Sequence, residues 1–425
     1  MASSGTAVTR AAPGRSWTLW SLVAAFGAYF CMYAYRKPFT ASSYSEPVLG
    51  GVDFKTILIT AQVAGYMLSK FIGIKVVAEL APSRRAWTIL ALIALAEVAL
   101  FLFAVLPPPW SALCLFLNGL PLGMVFGFVL GFLEGRVQTE LLAAGLCASF
   151  ILADGVAKSL GAQLLVMGVA EHWMPFAAGL LAAPALVLFV LMLARIPSPG
   201  HVDIAARAER ATMNRAERRL LYARYALGLT LIVVMYLLVT VVRSIRADFA
   251  LEIWQGLGTV TDAETFTYSE ILVALGVLGV CGATVLIRDN RLAFFVSLAT
   301  CTVGLALIAL TLVCRHLALL SPFAFMVLIG VGLYLPYVAV QTTVFERLMA
   351  MTRERGTTGF LIYVADAFGY LGYVAVMLGK RVVTDTNNVL PYFEAACWSA
   401  AAFSLVGMIF AWRYFSRRCP AYLKS

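Results

Sequence analysis

The chain has 425 residues, 62% of them hydrophobic and only 13% charged, with a formal net charge of +10. Soluble domains carry about 25% charged residues, and many apolar runs here reach the ~20 residues that cross a bilayer. A soluble enzyme or binding module is therefore excluded in favour of an all-α polytopic membrane protein; no alternating pattern suggests a barrel, and membrane topology explains the basic balance better than nucleic acid does.

Residues 1–16 are small and polar, with Arg10 and Arg15. Span 1 starts at Trp17 and runs past Arg36; lacking a small-residue cleavage site, it reads as a retained span. Span 2 covers about 54–77 and carries Lys70. The turn APSRR leads to span 3, about 87–106, which Pro107, Pro108 and Pro109 end. Spans 4, 5 and 6 follow at about 110–133, 141–170 and 174–194; span 5 holds Asp154 and Lys158. The longest polar stretch, 195–224, separates this half from a second. Span 7, about 225–254, carries Arg243, Arg246 and Asp248. Spans 8 to 12 follow at about 266–287, 292–313, 321–345, 359–378 and 392–412, with Glu270 on span 8 and Asp366 on span 11. The expected organisation is a six-helix bundle at 1–194, a basic linker at 195–224, and a second six-helix bundle with its tail at 225–425.

Twelve spans put both termini on one side. Of 32 Lys and Arg residues, 22 fall on that side and five (Lys37, Lys55, Arg315, Lys380, Arg381) in the opposite loops; five more lie within spans. The positive-inside rule then places both termini in the cytoplasm of a cell-membrane protein. The eight cysteines are scattered without CxxC spacing, and His172, His201 and His316 fall in or near loops. No disulfide frame, metal site, catalytic triad or phosphate-cradling GxxxxGK[ST] motif follows, so neither a cofactor nor an enzymatic activity is expected.

The most informative stretch is YFCMYAYRKPFTA, residues 29–41. An arginine in hydrocarbon costs roughly 3 kcal/mol on insertion scales, and a chain tolerates it where the guanidinium faces a water-filled cavity or an anion. The alternative is that Arg36 snorkels to the interface at its helix end. The second half repeats the arrangement: Arg36 lies 19 residues after Trp17, and Arg243 lies 19 after Arg224. Lys70 is suited either to an anion or to a carboxylate partner. Asp154 and Lys158, four apart, can pair along one face or, for Asp154, serve proton coupling. Asp366 answers a cation elsewhere in the bundle, and Glu97 and Glu270, nearer span ends, reach water. Tyr29, Tyr33, Tyr35, Tyr363 and Tyr370 either line a cavity or pack.

YAYRKPFTAS resembles the first-helix motif of the organophosphate:phosphate antiporters of the major facilitator superfamily, with Tyr33, Arg36, Lys37 and Phe39 matching. AGYMLSKFIG resembles the family's second helix with its lysine, Lys70. VVRSIRADF resembles its seventh, with Arg243 and Asp248, and RGTTGFLIYVADAFGYLG its eleventh-helix glycine pattern. The family's helix-5 histidine has no counterpart in LADGVAKSLG, and its fourth-helix tryptophan-proline-proline pattern is missing. The resemblance implies twelve transmembrane helices in two six-helix bundles and alternating-access transport of a small organic anion, with exchange as the mode. Arg36, Arg243, Lys70, Tyr33 and Lys37 are then substrate-binding, and Asp154, Lys158, Asp366 and Asp248 form coupling or structural ion pairs. The expected partners are a small anionic solute and the lipid bilayer, with the chain acting as a monomer. Two alternatives stay open: a proton-coupled symporter titrating Asp154 and Asp366, and a non-transporting sensor of the same fold.

Overall fold

The computed structural model describes residues 15–44, 53–133, 136, 138–197, 215–259, 262–352, 358–379 and 389–418. Twelve helices among them are long and apolar enough to cross a membrane. The first half comprises α1 (Arg15–Met32), α2 (Phe54–Glu79), α3 (Arg85–Val105), α4 (Trp110–Leu133), α5 (Thr139–Val166) and α6 (Met174–Ala194). The second comprises α7 (Arg215–Asp248), α8 (Ala263–Val285), α9 (Asn290–His316), α10 (Pro322–Ala339), α11 (Thr358–Leu378) and α12 (Val389–Arg418). Helices are the expected outcome, because a spanning segment must satisfy its own backbone polar groups where no water can. Where helices start in water, side chains cap them: Asp289 Oδ1 accepts from Leu292 N at α9, and Ser321 Oγ accepts from Ala324 N at α10.

Close packing within each half rests on small residues. A Cβ on Gly65 of α2 would stand 2.1 Å from the Phe116 carbonyl of α4, and one on Gly119 of α4 would stand 2.1 Å from the Gln62 carbonyl. Gly304 of α9 and Gly332 of α10 repeat that approach in the second half, at 2.9 and 3.0 Å from Cβ to the facing carbonyl. Small residues let helix backbones touch where lipid offers no hydrophobic drive to associate. The halves meet along two seams, α5 against α8 and α2 against α11. Ser159 and Thr267 share a 2.7 Å hydrogen bond across the first seam. Exposed Leu95, Phe101, Leu181, Leu188, Phe403 and Phe410 place α3, α6 and α12 on the lipid-facing rim.

Three boundaries differ from expectation. The α-helix of span 1 stops at Met32 and does not run past Arg36. Helix α7 begins at Arg215, inside the expected linker, and bends at Tyr225, whose φ of −119° and ψ of 23° leave the helical range. Span 10 passes through a π-helical turn, Val340–Val344, into a further helix, Phe345–Thr352. The N-terminal segment to residue 14, the loop at 45–52, the linker core at 198–214, and Lys380 and Arg381 lie outside the described residues.

Candidate functional site

The site is built on an elbow. After Met32 the chain makes a 3-10 turn over Tyr33–Tyr35, passes Arg36 and Lys37, and makes another over Pro38–Ala41. Pro38 has no N–H to continue the helical ladder, so carbonyls are freed beside it. Asn118 of α4 donates from Nδ2 to the Tyr35 carbonyl at 3.1 Å and to the Ala96 carbonyl of α3 at 3.1 Å. Gln62 of α2 donates from Nε2 to the Arg36 carbonyl at 3.0 Å and to Asn118 Oδ1 at 2.8 Å. Two amides thus hold the elbow, and adjacent side chains leave it in different directions.

Arg36 points to the centre of the bundle. Its guanidinium carbon sits 3.9 Å from the Tyr66 ring centroid of α2, 5.8 Å from Tyr33 and 5.9 Å from Tyr370 of α11. Arg243 of α7 sits 4.4 Å from the Tyr337 ring and 5.6 Å from Tyr334, both on α10. The rings interlock across the halves: Tyr66 and Tyr370 centroids are 4.9 Å apart, and Phe150 of α5 touches both Tyr334 and Tyr337. Tyr33 and Tyr370 are each electrostatic neighbours of both arginines. Exposure is 5% for Arg36 and 7% for Arg243, so neither snorkels to an interface. Among the described residues neither has a carboxylate partner, and Nε of each is sealed without a hydrogen bond.

Ion pairs across the halves flank this centre on both sides. Towards the end of the bundle opposite the chain termini, Lys37 pairs with Asp248 of α7 and, at 3.5 Å, with Asp154 of α5. Lys158 pairs with Asp154 along α5, and the Tyr373 hydroxyl donates to Asp248 Oδ2 at 2.9 Å. Lys55 pairs with Glu252 there and donates to the Thr40 carbonyl at 2.9 Å. Towards the termini, Lys70 of α2 donates to Asp366 Oδ2 of α11 at 3.0 Å. Asp366 Oδ1 accepts from the Tyr236 hydroxyl and, at 2.8 Å, from Gln341 Nε2. Gln341 sits on the π-helical turn, a distortion often found at functional sites. The arginine pair is thus enclosed between two layers of contacts that each join one half to the other.

Residues 38–418 match the sequence family described as "Family of unknown function (DUF5690)". The chain belongs to that family. The match begins one residue after Lys37, so it spans Arg243 and both flanking carboxylate layers but not Arg36 itself. No curated protein matches the chain in sequence. In structure it is similar to the human organic anion transporter MFSD10 (TM-score 0.56, 15% identity, 94% of this chain and 100% of that one). It is also similar to a bacterial homologue of the human lysosomal transporter Spinster, inward-facing and unoccupied (TM-score 0.63, 12% identity, 97% and 100%). A D-xylose-proton symporter gives TM-score 0.61 at 12% identity, over 94% and 98%. The family chain therefore has the major facilitator fold, over essentially its whole length.

The structure sorts the nine sequence-named residues into three groups. Arg36, Arg243 and Tyr33 meet at the centre. Lys37, Asp154, Lys158 and Asp248 form one cluster, and Lys70 and Asp366 form another. Lys37 and Lys55, expected in exposed loops, are 5% and 3% exposed, because carboxylates of the other half enclose them. Glu270 does not reach water: Arg246 donates to it at 2.7 Å and to the Met326 carbonyl at 3.0 Å. The carboxyl oxygens of Glu97 are sealed as well. Gln62, Asn118, Tyr66, Tyr236, Tyr334, Tyr337 and Gln341 escaped sequence reasoning, since uncharged polar residues in apolar helices carry no one-dimensional signal. Gln62, three residues before Gly65, and Asn118, directly before Gly119, were the nearest available hint.

Proposed function

We propose that the chain is a secondary active transporter that moves a small anion by alternating access, with Arg36 and Arg243 as its binding pair. The carrying observation is the charge balance of the bundle interior. Lys37, Lys55, Lys70, Lys158 and Arg246 are matched by Asp154, Asp248, Glu252, Glu270 and Asp366. Among the described residues Arg36 and Arg243 stand at the centre of the bundle without a carboxylate of their own. Stacking on tyrosines occupies the faces of the guanidiniums and leaves their in-plane N–H groups for an oxyanion, which a planar fork binds in bidentate fashion. Phosphate, phosphate esters and carboxylates are the ligand classes that fit. The human relative of like fold is an organic anion transporter, so the architecture accommodates such cargo.

The ion-pair layers are the gates in this reading, the one beside Lys37 opening to the outside and the one beside Lys70 to the cytoplasm. Exchange follows from the same charges. Closing an empty cavity around two unpaired cations strips their water without compensation, and a bound anion removes that obstacle. Carrying a divalent anion inward against 100 mV costs about 4–5 kcal/mol, at about 2.3 per charge, and exchange for an anion of equal charge avoids it. The test is uptake of labelled phosphate, glycerol phosphate or sugar phosphate by proteoliposomes. Vesicles preloaded with phosphate should take up label far faster than empty ones. Equal rates at matched pH and voltage would leave a uniporter or symporter, and no saturable uptake of any of these anions would remove the anion reading.

A further inference from the structure

Among the described residues, one carboxylate inside the spans has no partner at all. Glu97 sits twelve residues after Arg85, about 18 Å along α3 and well within the apolar span. Both its oxygens are sealed and neither has a hydrogen-bond partner. The carboxyl lies against Gly179 of α6, where a Cβ would stand 2.1 Å from Oε2. Elements packed on α3 supply no cation to it. Helix α6 has no titratable side chain, and α4 has only Cys114, which donates to its own Trp110 carbonyl at 3.6 Å. The elbow after α1 presents Tyr35, an electrostatic neighbour of Glu97, with Cys31 beside it. Arg84 in the preceding turn is exposed, and Arg85 donates to the Gly131 carbonyl at 2.6 Å, three turns from Glu97.

An ionised carboxylate in that place gives up its water and receives nothing in exchange, whereas a neutral acid loses far less. We propose that Glu97 is a proton-binding site of the N-terminal half, separate from the arginine pair. Its chain neighbour Ala96 is joined to the elbow through one amide: Asn118 donates both to the Ala96 carbonyl and to that of Tyr35. A proton gained or lost at Glu97 is therefore positioned to be felt where Arg36 emerges. That last step rests on the transport reading; the proton site does not.

The test uses the whole protein in liposomes and dicyclohexylcarbodiimide, an apolar reagent that enters lipid. The acid proton passes to a carbodiimide nitrogen, a carboxyl oxygen adds to the central carbon, and an acyl shift leaves a stable N-acylurea detected by peptide mass mapping. The expected result is an adduct on Glu97 at about pH 6, where an ordinary glutamate is already ionised, that falls several-fold by about pH 9. The ion-paired Asp248 should stay unmodified, and Glu97→Gln, shown to be folded by an unchanged melting profile, should carry no adduct at that peptide. No adduct on Glu97 at either pH overturns the proposal. Equal labelling at both overturns it too, as it marks an acid that does not exchange its proton. Wild-type mapping decides the question even where the variant fails to fold, and no anion transport is required for the readout.

Discussion

The ends of α1 and α7 occupy equivalent places in the two halves and solve the same problem differently. Each brings an arginine to the tyrosine-lined centre of the bundle, Arg36 and Arg243, and each carries a second cation close behind. In the first half the helix breaks, so Lys37 is adjacent to Arg36 yet leaves in another direction and reaches Asp248 and Asp154. In the second half the helix continues, so Arg246 lies one turn further on and pairs within its own half with Glu270. One second cation thus ties the halves together, and the other stays at home. The broken helix makes the Lys37 link something that any opening of that end must undo, whereas the Arg246–Glu270 pair can ride through the motion intact.

The largest expected effect separates first from second cations. Arg36→Lys and Arg243→Lys should each lower anion uptake by about 10- to 100-fold, the loss of one charged, bidentate hydrogen-bonding group, with insertion unchanged. Arg246→Lys keeps a cation for Glu270 and should retain most of the uptake. Proteoliposome assays on the three variants would refute the comparison if Arg246→Lys proved as damaging as the other two.

Stability should divide the second cations in turn. Glu270→Gln leaves Arg246 buried without a counter-charge, and removing one charge of such a pair costs about 3–5 kcal/mol. Asp248→Asn should cost clearly less, because Lys37 keeps Asp154 at 3.5 Å. Its signature is conformational instead: a cysteine introduced at Thr40 should gain reactivity towards an impermeant thiol reagent. Thermal melting of both variants, with that labelling, checks the pair; equal melting losses would show that Asp154 gives Lys37 no support.

The elbow itself should respond more mildly. Asn118→Ala orphans the Tyr35 carbonyl and removes the second bond to the helical Ala96 carbonyl, a loss of about 1–3 kcal/mol, and should raise KM for the anion more than it lowers maximal rate. A melting temperature and KM both unchanged would mean the break stands without its amide. The smallest effect belongs to Lys55 and Glu252. Replacing both with Met should lower melting only slightly, since exchanging a buried ion pair for apolar side chains of like volume is often neutral and the Thr40 carbonyl is the one acceptor left open. A loss as large as that of Glu270→Gln would make this pair structural.

Membrane residence, the number of spans and the two-half organisation were legible in the amino-acid order alone, because hydrocarbon thickness and backbone hydrogen bonding leave an apolar run of that length little choice. The repeat of Arg36 by Arg243 was legible for the same reason, as depth in a bilayer counts along a single helix. Partnership was not. Lys37 and Asp248 are 211 residues apart and Lys70 and Asp366 are 296 apart, so whether a lysine met a substrate or a carboxylate depended on how two bundles dock. The helix break had a visible cause in Pro38, but its direction rests on Gln62 and Asn118 from other helices. Charge along a helix is a local property, readable residue by residue. Compensation of that charge is set by contacts between helices, and only the packed tertiary structure decided which cations were left unpaired.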